Sequence, residues 1–384
     1  MSAAEAAPEE TAFAQRVTPL ELFFDLMFVF AITQVTGFIA AHPTWTRLVE
    51  SLAVLAVLWW AWVAYAWLGN TAASDEGAMR VVLLVAMGPL LILSLAVPEA
   101  FGDDALAFGI AYLVVRSLHI VGYAVLGRGD ERVRGLVPRL ASTMLPAASL
   151  LVLAGFVDGT ARTLCWVAAL LVDYGGLALR GTDGWRVQPA HFAERHGAII
   201  IIALGESVVS LGVGASGFGL SASVIVSALL GIVVAGSLWW AYFDVVALAG
   251  EQRMQRADPD GQTRIARDSY TYLHLPMVAG IVLFALGVKE SLIAESHALP
   301  TVVAVSLCGG VALYLLALSA FKRRNYGSFN YPRLVAAAAL LALIPVAHSI
   351  RAVVALGLVA LVTAALIAYE TQRYAAARHR IRHA

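Results

Sequence analysis

The chain has 384 residues, of which 60% are apolar and 14% are charged. Typical soluble domains are about 45–50% apolar and about 25% charged, so this composition excludes an ordinary soluble protein. The 26 basic residues balance the 26 acidic ones, which gives no reason to expect a nucleic-acid partner. The sequence predicts no cofactor and no metal, because it has no phosphate-binding loop and its two cysteines lack metal-ligand spacing.

Apolar segments of about 18–25 residues recur along the chain, and each is long enough to cross a bilayer as a helix. We therefore predict an all-α, polytopic integral membrane protein with about twelve transmembrane helices. The predicted spans are 20–41, 46–68, 79–98, 105–127, 137–157, 161–179, 194–213, 221–249, 270–289, 299–320, 331–348 and 350–371. Residues 1–19 are expected to form a disordered cytoplasmic tail, and residues 373–384 a basic one.

The charged residues of the loops predict an orientation. With the N-terminus inside, nearly all loop arginines and lysines fall on the inner side of the membrane. Only four fall on the outer side, namely Arg47, Arg162, Lys289 and Arg351. The positive-inside rule therefore places both termini in the cytoplasm.

Three short matches pair a predicted span with the span six places later. The matches join residues 58–61 to 238–241, 137–140 to 331–334, and 97–99 to 288–290. Because six is an even number, the matching halves have the same orientation. We predict two parallel six-helix repeats, residues 20–183 and 184–372, a plan in which binding sites lie at the repeat interface near the midplane.

Polar side chains within the spans are candidate functional residues, because a charge inside a membrane is costly unless it is paired or hydrated. Glu21 and Asp25 are four residues apart and so share one face of the first helix. Two interpretations stay open: the set lines a hydrated path or site, or it ties helices together, with Arg116 paired to an acid. The candidates are Glu21, Asp25, Thr33, Gln34, Arg116, His119, His191, Glu194, Arg195, Glu206, Ser207, Asp244 and His274.

The stretch 191–197, HFAERHG, places His191, Glu194 and Arg195 on one helical turn. Its spacing fits neither of the zincin patterns, so it does not predict a metal site. We expect it to be the charged start of a helix at the cytoplasmic face. Glu194 and Arg195 would then be available to neighbouring loops.

Two passages resemble a known family. They are residues 21–34, ELFFDLMFVFAITQ, and residues 191–207, which contain HFAER and ALGES. Both resemble the bacterial low temperature requirement protein A (LtrA) family, and the likeness covers essentially the whole chain. It implies a multi-pass protein of the bacterial inner membrane, named for a cold-growth phenotype, without an established substrate or catalytic residue. The residues that match its motifs are Glu21, Phe24, Asp25, Gln34, His191, Glu194, Arg195, Glu206 and Ser207.

The first helix is also distantly similar to that of the potassium channels marked by an F-S-D motif. In that family six-helix units occur singly or duplicated, and the first helix of each unit lines the pore. This chain departs from the pattern at three places. Phe24 replaces the motif serine, Pro19 stands where an arginine is expected, and Gly197 or Ala198 stands where the second aspartate would be.

Our leading hypothesis is a channel or carrier for a cation or small solute, with the first and seventh helices along its path. Asp25 and Glu206 would be its charged or proton-linked groups. The alternatives are a membrane-embedded enzyme acting on a lipid or isoprenoid, with His191, Glu194 and Arg195 as candidates, and a non-transporting scaffold or sensor. The expected partners are the lipid bilayer and the transported species, and a homodimer is compatible with the sequence.

These hypotheses predict different structures. A carrier needs a polar cavity near the midplane, and a lipid-active enzyme needs a lateral cleft at headgroup depth. A scaffold would bury Asp25 and Glu206 in tight ion pairs without a cavity.

Overall fold

The computed structural model describes residues 17–71, 77–182, 184–216, 221–294 and 297–382. These residues form sixteen α-helices and no β-strand beyond one isolated bridge, which confirms the all-α class. The helices are α1 (Pro19–Ala41), α2 (Trp45–Gly69), α3 (Gly77–Leu95), α4 (Ala105–Leu126), α5 (Glu131–Ala154), α6 (Gly159–Arg180), α7 (Pro189–Ser216), α8 (Ala222–Phe243), α9 (Val246–Gln255), α10 (Pro259–Ile265), α11 (His274–Ala294), α12 (Thr301–Ala304), α13 (Gly310–Tyr326), α14 (Tyr331–Ala347), α15 (Ala352–Arg373) and α16 (Ala375–Arg382). A 3₁₀ turn, Val97–Glu99, follows α3, and π-helical turns, Ala266–Tyr272 and Val305–Gly309, precede α11 and α13.

Eleven helical segments of the described residues are long and apolar enough to cross a membrane. The helix α14 is a shorter apolar helix of 17 residues. At its start Arg333 bonds Glu370 near the end of α15, and after its end His348 bonds the backbone of Leu299, just before α12. Both ends of α14 therefore contact the ends of neighbouring spans, and each of the twelve predicted spans corresponds to a helix.

Two predicted boundaries miss local irregularities. The predicted span 221–249 is broken between α8, which ends at Phe243, and α9, which begins at Val246. The predicted span 270–289 begins inside the π-helical turn that precedes α11. Hydropathy measures how apolar a segment is and not its backbone hydrogen-bond pattern, so it reveals neither feature.

The start of α1 is fixed by a capping box. The Thr18 hydroxyl accepts a hydrogen bond from the Glu21 backbone N–H at 3.2 Å, and the Glu21 carboxylate accepts one from the Thr18 backbone N–H at 3.0 Å. Pro19 occupies the first turn, where its missing N–H costs nothing. Because Glu21 is fully buried, the residue that caps the helix also reaches the core.

The outer faces of the helices are apolar. On α3, Val81, Val85 and Ile92 are 58%, 52% and 54% exposed, whereas Leu83 and Leu90 on the opposite face are buried. Contiguous apolar surface of this kind is rare on soluble monomers. It is the surface that a helix presents to lipid, so the chain is embedded in the bilayer.

The two halves of the chain have matching helix neighbours. In the first half α1 contacts α2 and α3, and each helix from α3 to α5 packs on the helix that follows it. In the second half α7 contacts α8 and α11, and the helices α11, α13, α14 and α15 pack each on the next in that order. This recurrence of helix neighbours supports the two-repeat hypothesis, which stays a prediction.

The halves meet along α1, α2, α7 and α11. The helix α2 lies deepest, because every residue from Val57 to Gly69 is buried. The indole N–H groups of Trp59 and Trp67 donate to the carbonyl and the hydroxyl of Thr271, at 2.8 and 3.0 Å. The π-helical turn before α11 is therefore held against α2.

Candidate functional site

A fully buried arginine joins the acids of α1 to α7. Arg195 donates from Nη1 to Glu21 Oε1 at 3.1 Å and from Nη2 to Asp25 Oδ1 at 2.6 Å. His191 Nε2 lies 3.0 Å from Glu21 Oε2. We call Glu21, Asp25, His191 and Arg195 the inner network. It confirms that Glu21 and Asp25 share one helical face.

Side chains of α2 fix the geometry of the inner network. Trp62 donates its indole N–H to Asp25 Oδ1 at 2.8 Å. Asn70 accepts the Gln188 backbone N–H, which settles its amide orientation, and its Nδ2 lies 3.1 Å from His191 Nδ1. Since Asn70 donates to Nδ1, the proton of a neutral His191 is on Nε2 and is donated to Glu21.

A glycine allows α2 to approach this network. A Cβ on Gly69 would lie 2.5 Å from Glu21 Oε1 and 3.4 Å from Arg195 Nη1. Real Cβ atoms do not approach an oxygen so closely, so any larger residue here would displace the carboxylate. The end of α2 thus packs directly on the ion pair.

Four buried polar atoms have no hydrogen-bond partner within the described part of the chain. Two belong to the inner network, Asp25 Oδ2 and Arg195 Nε, and two to residues next to it, His196 Nε2 and Tyr270 Oη. The ring centres of His196 and Tyr270 are 5.2 Å apart, and those of His196 and Trp62 are 5.0 Å apart. We call Asp25, Arg195, His196 and Tyr270 the central cluster. Each unsatisfied atom costs about 1–3 kcal/mol.

His274 lies beside the central cluster and stacks on Tyr270. Its Nδ1 lies 2.9 Å from the Ser269 carbonyl, which makes that nitrogen the donor. Its Nε2 then accepts from the Tyr242 hydroxyl at 2.8 Å. This predicted candidate is thus fully hydrogen-bonded.

A second polar group lies further along the same helices. The Glu206 carboxylate is 2% exposed and accepts hydrogen bonds from Thr33 at 2.5 Å and from Ser210 at 2.8 Å. No described arginine, lysine or histidine forms an ion pair with it. We call Thr33, Glu206 and Ser210 the outer cluster. Thr33 follows Asp25 by eight residues, about 12 Å along the helix.

The expectation that Arg195 would be available to loops is wrong. The helix α7 begins at Pro189, earlier than the predicted span, so Arg195 lies more than one turn inside it and is fully buried. Glu194, by contrast, is exposed and accepts the Val17 backbone N–H at 3.0 Å.

Three other predicted candidates lie outside these clusters. Ser207 donates to the Leu204 carbonyl of its own helix, and Gln34 is half-buried. Asp244 forms an ion pair with Arg378 of α16, in which Arg378 Nη2 lies 2.7 Å from Asp244 Oδ1. This pair ties α16 to the end of α8.

Arg116 and His119 form a separate buried group in the first half. Arg116 Nη2 pairs with Asp173 Oδ1 at 2.8 Å, and Tyr112 donates to the other carboxylate oxygen at 2.5 Å. His119 Nε2 lies 2.8 Å from the Ala64 carbonyl. Arg116 is therefore paired with an acid, and the choice between the two interpretations of the polar residues stays a prediction.

The sequence did not single out Trp62, Asn70, His196 or Tyr270. For Trp62 the sequence signal is the density of aromatic residues in 59–67, which is higher than a helix that faces lipid requires. The place of His196 in the site depends on its contacts with α2, the π-helical turn before α11, and α11 itself.

These features define a polytopic α-helical membrane protein whose halves are joined by a buried ion-pair network. The chain belongs to the family described as Bacterial low temperature requirement A protein (LtrA), which it matches over residues 16–368. This confirms the first resemblance; the similarity to the F-S-D-motif channels stays a prediction. Membership of a bacterial multi-pass family is consistent with the cell membrane.

One relative is a protein of Rhizobium meliloti (strain 1021) that is described as uncharacterised. It is 27% identical over 324 residues, which cover 79% of this chain and 76% of the relative. No solved structure matches the chain.

Proposed function

We propose that the protein moves a small cation or small solute across the membrane, along a path at the junction of α1, α7 and α11. The observation that carries this proposal is the central cluster. Its side chains are linked at the interface of the two halves, since Arg195 bonds Asp25 and His196 packs on Tyr270. Each of the four has one buried polar atom without a hydrogen-bond partner among the described residues. Buried polar atoms are normally satisfied, and water or a ligand is the usual partner when the protein supplies none.

The charge of the junction favours a cation. Glu21 and Asp25 carry two negative charges against the single positive charge of Arg195, with His191 neutral in its hydrogen-bonded form. One negative charge is therefore left in a buried site. A proton or a metal cation compensates it, whereas an anion is repelled.

The outer cluster provides the next polar group along the same interface. Between it and Asp25, Phe28 and Ile32 of α1 are each 3% exposed, so apolar side chains close the path in this conformation. Alternating access requires such a closure on one side of a binding site. Glu206, held by hydroxyl groups, is the second group that we propose to bind the transported cation.

The alternative hypotheses fit the contacts less well. A lipid substrate does not reach His191 or Arg195, because both are at most 1% exposed. A scaffold explains the ion pair of Asp25, as predicted for that hypothesis. It does not explain why the buried Glu206 is held by hydroxyl groups rather than by an ion pair.

Flux measurements on proteoliposomes test the proposal, with potassium, sodium and proton gradients applied in turn. The variants are Asp25→Asn and Glu206→Gln, which remove one charge each. The matched control is Asp244→Asn, because Asp244 is also a buried, ion-paired carboxylate but lies away from the path. All proteins are first checked for a single folded species by gel filtration.

We expect flux of at least one cation with the wild type and the control, and its loss in Asp25→Asn and Glu206→Gln. Absence of flux of all three cations from folded wild-type protein would contradict a cation path and leave only the transport of a small solute. Equal loss in the Asp244→Asn control would show that any buried carboxylate is needed, which would also count against a path at α1 and α7.

A further inference from the structure

The hydrogen bonds of the outer cluster give Thr33 two acceptors. Ser210 donates to Glu206 Oε1 at 2.8 Å, and Thr33 Oγ1 lies 2.5 Å from Glu206 Oε2. The same Thr33 oxygen lies 3.0 Å from the backbone carbonyl of Val29, one turn earlier on α1. A hydroxyl group has one proton to donate, so Thr33 serves only one of these two acceptors at a time.

This arrangement satisfies Glu206 in both of its protonation states. When the carboxylate is ionised, Thr33 and Ser210 both donate to it. When Oε2 carries a proton, it donates to Thr33 Oγ1, and the hydroxyl proton of Thr33 turns to the Val29 carbonyl. Glu206 therefore takes up or releases a proton without displacing any heavy atom of the cluster.

The surroundings of Glu206 also favour exchange of a proton. The residue is 2% exposed, and no described residue forms an ion pair with it. The charge of Lys289 on α11 acts on it only from beyond ion-pair distance. An ionised carboxylate that is buried without a counter-charge is costly, so such a group takes up a proton instead.

The oxygen atoms of the outer cluster do not match a metal cation. Hard cations take about six to eight oxygen ligands. Thr33, Glu206 and Ser210 together have two carboxylate and two hydroxyl oxygens, and the hydroxyl of Thr36, one turn further on α1, is the next contact of Glu206. A proton needs a single lone pair, which this set provides.

The central cluster also suits a proton better than a metal cation. His196 Nδ1 lies 2.8 Å from the carbonyl of Phe192, so a neutral His196 carries its proton there and Nε2 is an acceptor. Asp25 Oδ2 is a second acceptor, and Tyr270 Oη both donates and accepts; within the described residues none of these three atoms has a partner. Arg195 Nε, by contrast, only donates and belongs to a positively charged group, which repels a metal cation.

We propose that the transported cation is a proton, with Glu206 as its carrier in the outer cluster and Asp25 and His196 as its acceptors in the central cluster. This proposal rests on the proposed cation path and names its substrate. In the transport step the O–H bond of Glu206 breaks and the proton passes to a water molecule on one side of the membrane. The carboxylate that remains is held by Thr33 and Ser210 until it takes a proton from the other side.

Proton flux is followed with a pH-sensitive dye trapped in proteoliposomes, under a membrane potential set by potassium and valinomycin. Uptake of radioactive sodium and rubidium is measured separately, without valinomycin. Glu206→Gln keeps the shape of the side chain and removes its exchangeable proton. The matched control is Glu370→Gln, because Glu370 is also a glutamate of a spanning helix but accepts hydrogen bonds from Arg333 and lies away from the path.

We expect the wild type and Glu370→Gln to move protons, and Glu206→Gln to stay at the level of protein-free liposomes. Uptake of sodium and rubidium should not exceed that level for any of the three proteins. Uptake of sodium or rubidium without proton flux would overturn this proposal and leave the cation path intact. Absence of every flux from folded wild-type protein would overturn both.

Infrared difference spectra between acidic and alkaline buffers test proton exchange at Glu206 without transport. A protonated carboxyl group has a C=O stretching band that a carboxylate lacks. We expect one such band to be present in the wild type and in Glu370→Gln and to be lost in Glu206→Gln. Identical acid bands in the wild type and Glu206→Gln would show that Glu206 does not exchange a proton, and the proposal would be wrong.

Discussion

Replacing Arg195 with glutamine tests whether charge holds the inner network together. Arg195 donates one hydrogen bond to Glu21 and one to Asp25, and all three residues are 0% exposed. The substitution leaves two carboxylates on one face of α1 without their guanidinium partner. Removing one member of a buried ion pair destabilises a protein by about 3–5 kcal/mol. We expect Arg195→Gln to lower the free energy of unfolding by that amount.

A triple variant separates charge from packing. Arg195→Gln combined with Glu21→Gln and Asp25→Asn keeps similar shapes and leaves no ionised group of these three residues in the core. Because buried ion pairs can be replaced by neutral groups at little cost, we expect it to regain most of the lost stability. The matched control is Arg324→Gln, because Arg324 pairs with Asp268 at a partly exposed site. Its effect should be below about 1 kcal/mol.

Unfolding can be followed by tryptophan fluorescence as the fraction of sodium dodecyl sulfate in mixed micelles is raised. Trp62 reports directly, because it donates to Asp25. Wild-type stability in Arg195→Gln would refute the argument from charge. A triple variant that is as unstable as the single variant would show instead that the shape of the guanidinium matters.

Two further predictions concern packing and orientation. Gly69→Ala should lower the free energy of unfolding by about 1–3 kcal/mol, because the added Cβ collides with Glu21. The control is Gly37→Ala, where a Cβ meets no atom within 4 Å. This substitution should leave the free energy of unfolding unchanged or raise it by up to about 1 kcal/mol. Equal effects on unfolding in mixed micelles would contradict the close contact. Single cysteines at Ser349 and Gly129, both exposed, test the orientation in a background without the native cysteines. A membrane-impermeant maleimide should label position 349 on intact cells and position 129 only after permeabilisation, and the reverse pattern would place the termini outside.

The positions of the helices could be predicted from the sequence because one physical requirement dominates. Each span must be apolar and long enough to cross the bilayer, and this requirement can be read locally. The breaks in the helices could not be predicted in the same way. The interruption after Phe243 and the π-helical turn at Ala266–Tyr272 depend on packing against other helices.

The site could be predicted only in part. The spacing of Glu21 and Asp25 shows that they share a face, but it does not identify the partner, since Arg195 is 170 residues from Asp25. Arg195 looked like an interfacial residue because it stands in a charged run. Its burial follows from the acids of α1, and without them the same run would be expected at the membrane surface.

The separation between α1 and α7 also has a consequence for biosynthesis. At about 5–20 residues per second, a ribosome needs about 10–35 seconds to make the 170 residues between Asp25 and Arg195. During this interval Glu21 and Asp25 belong to a helix that has no counter-charge. A carboxylate is stable only where water reaches it, so newly made α1 must stay close to the hydrated interface and reach its final depth when α7 arrives. Although α1 is made well before α7, it is therefore locked in place only when α7 has been made.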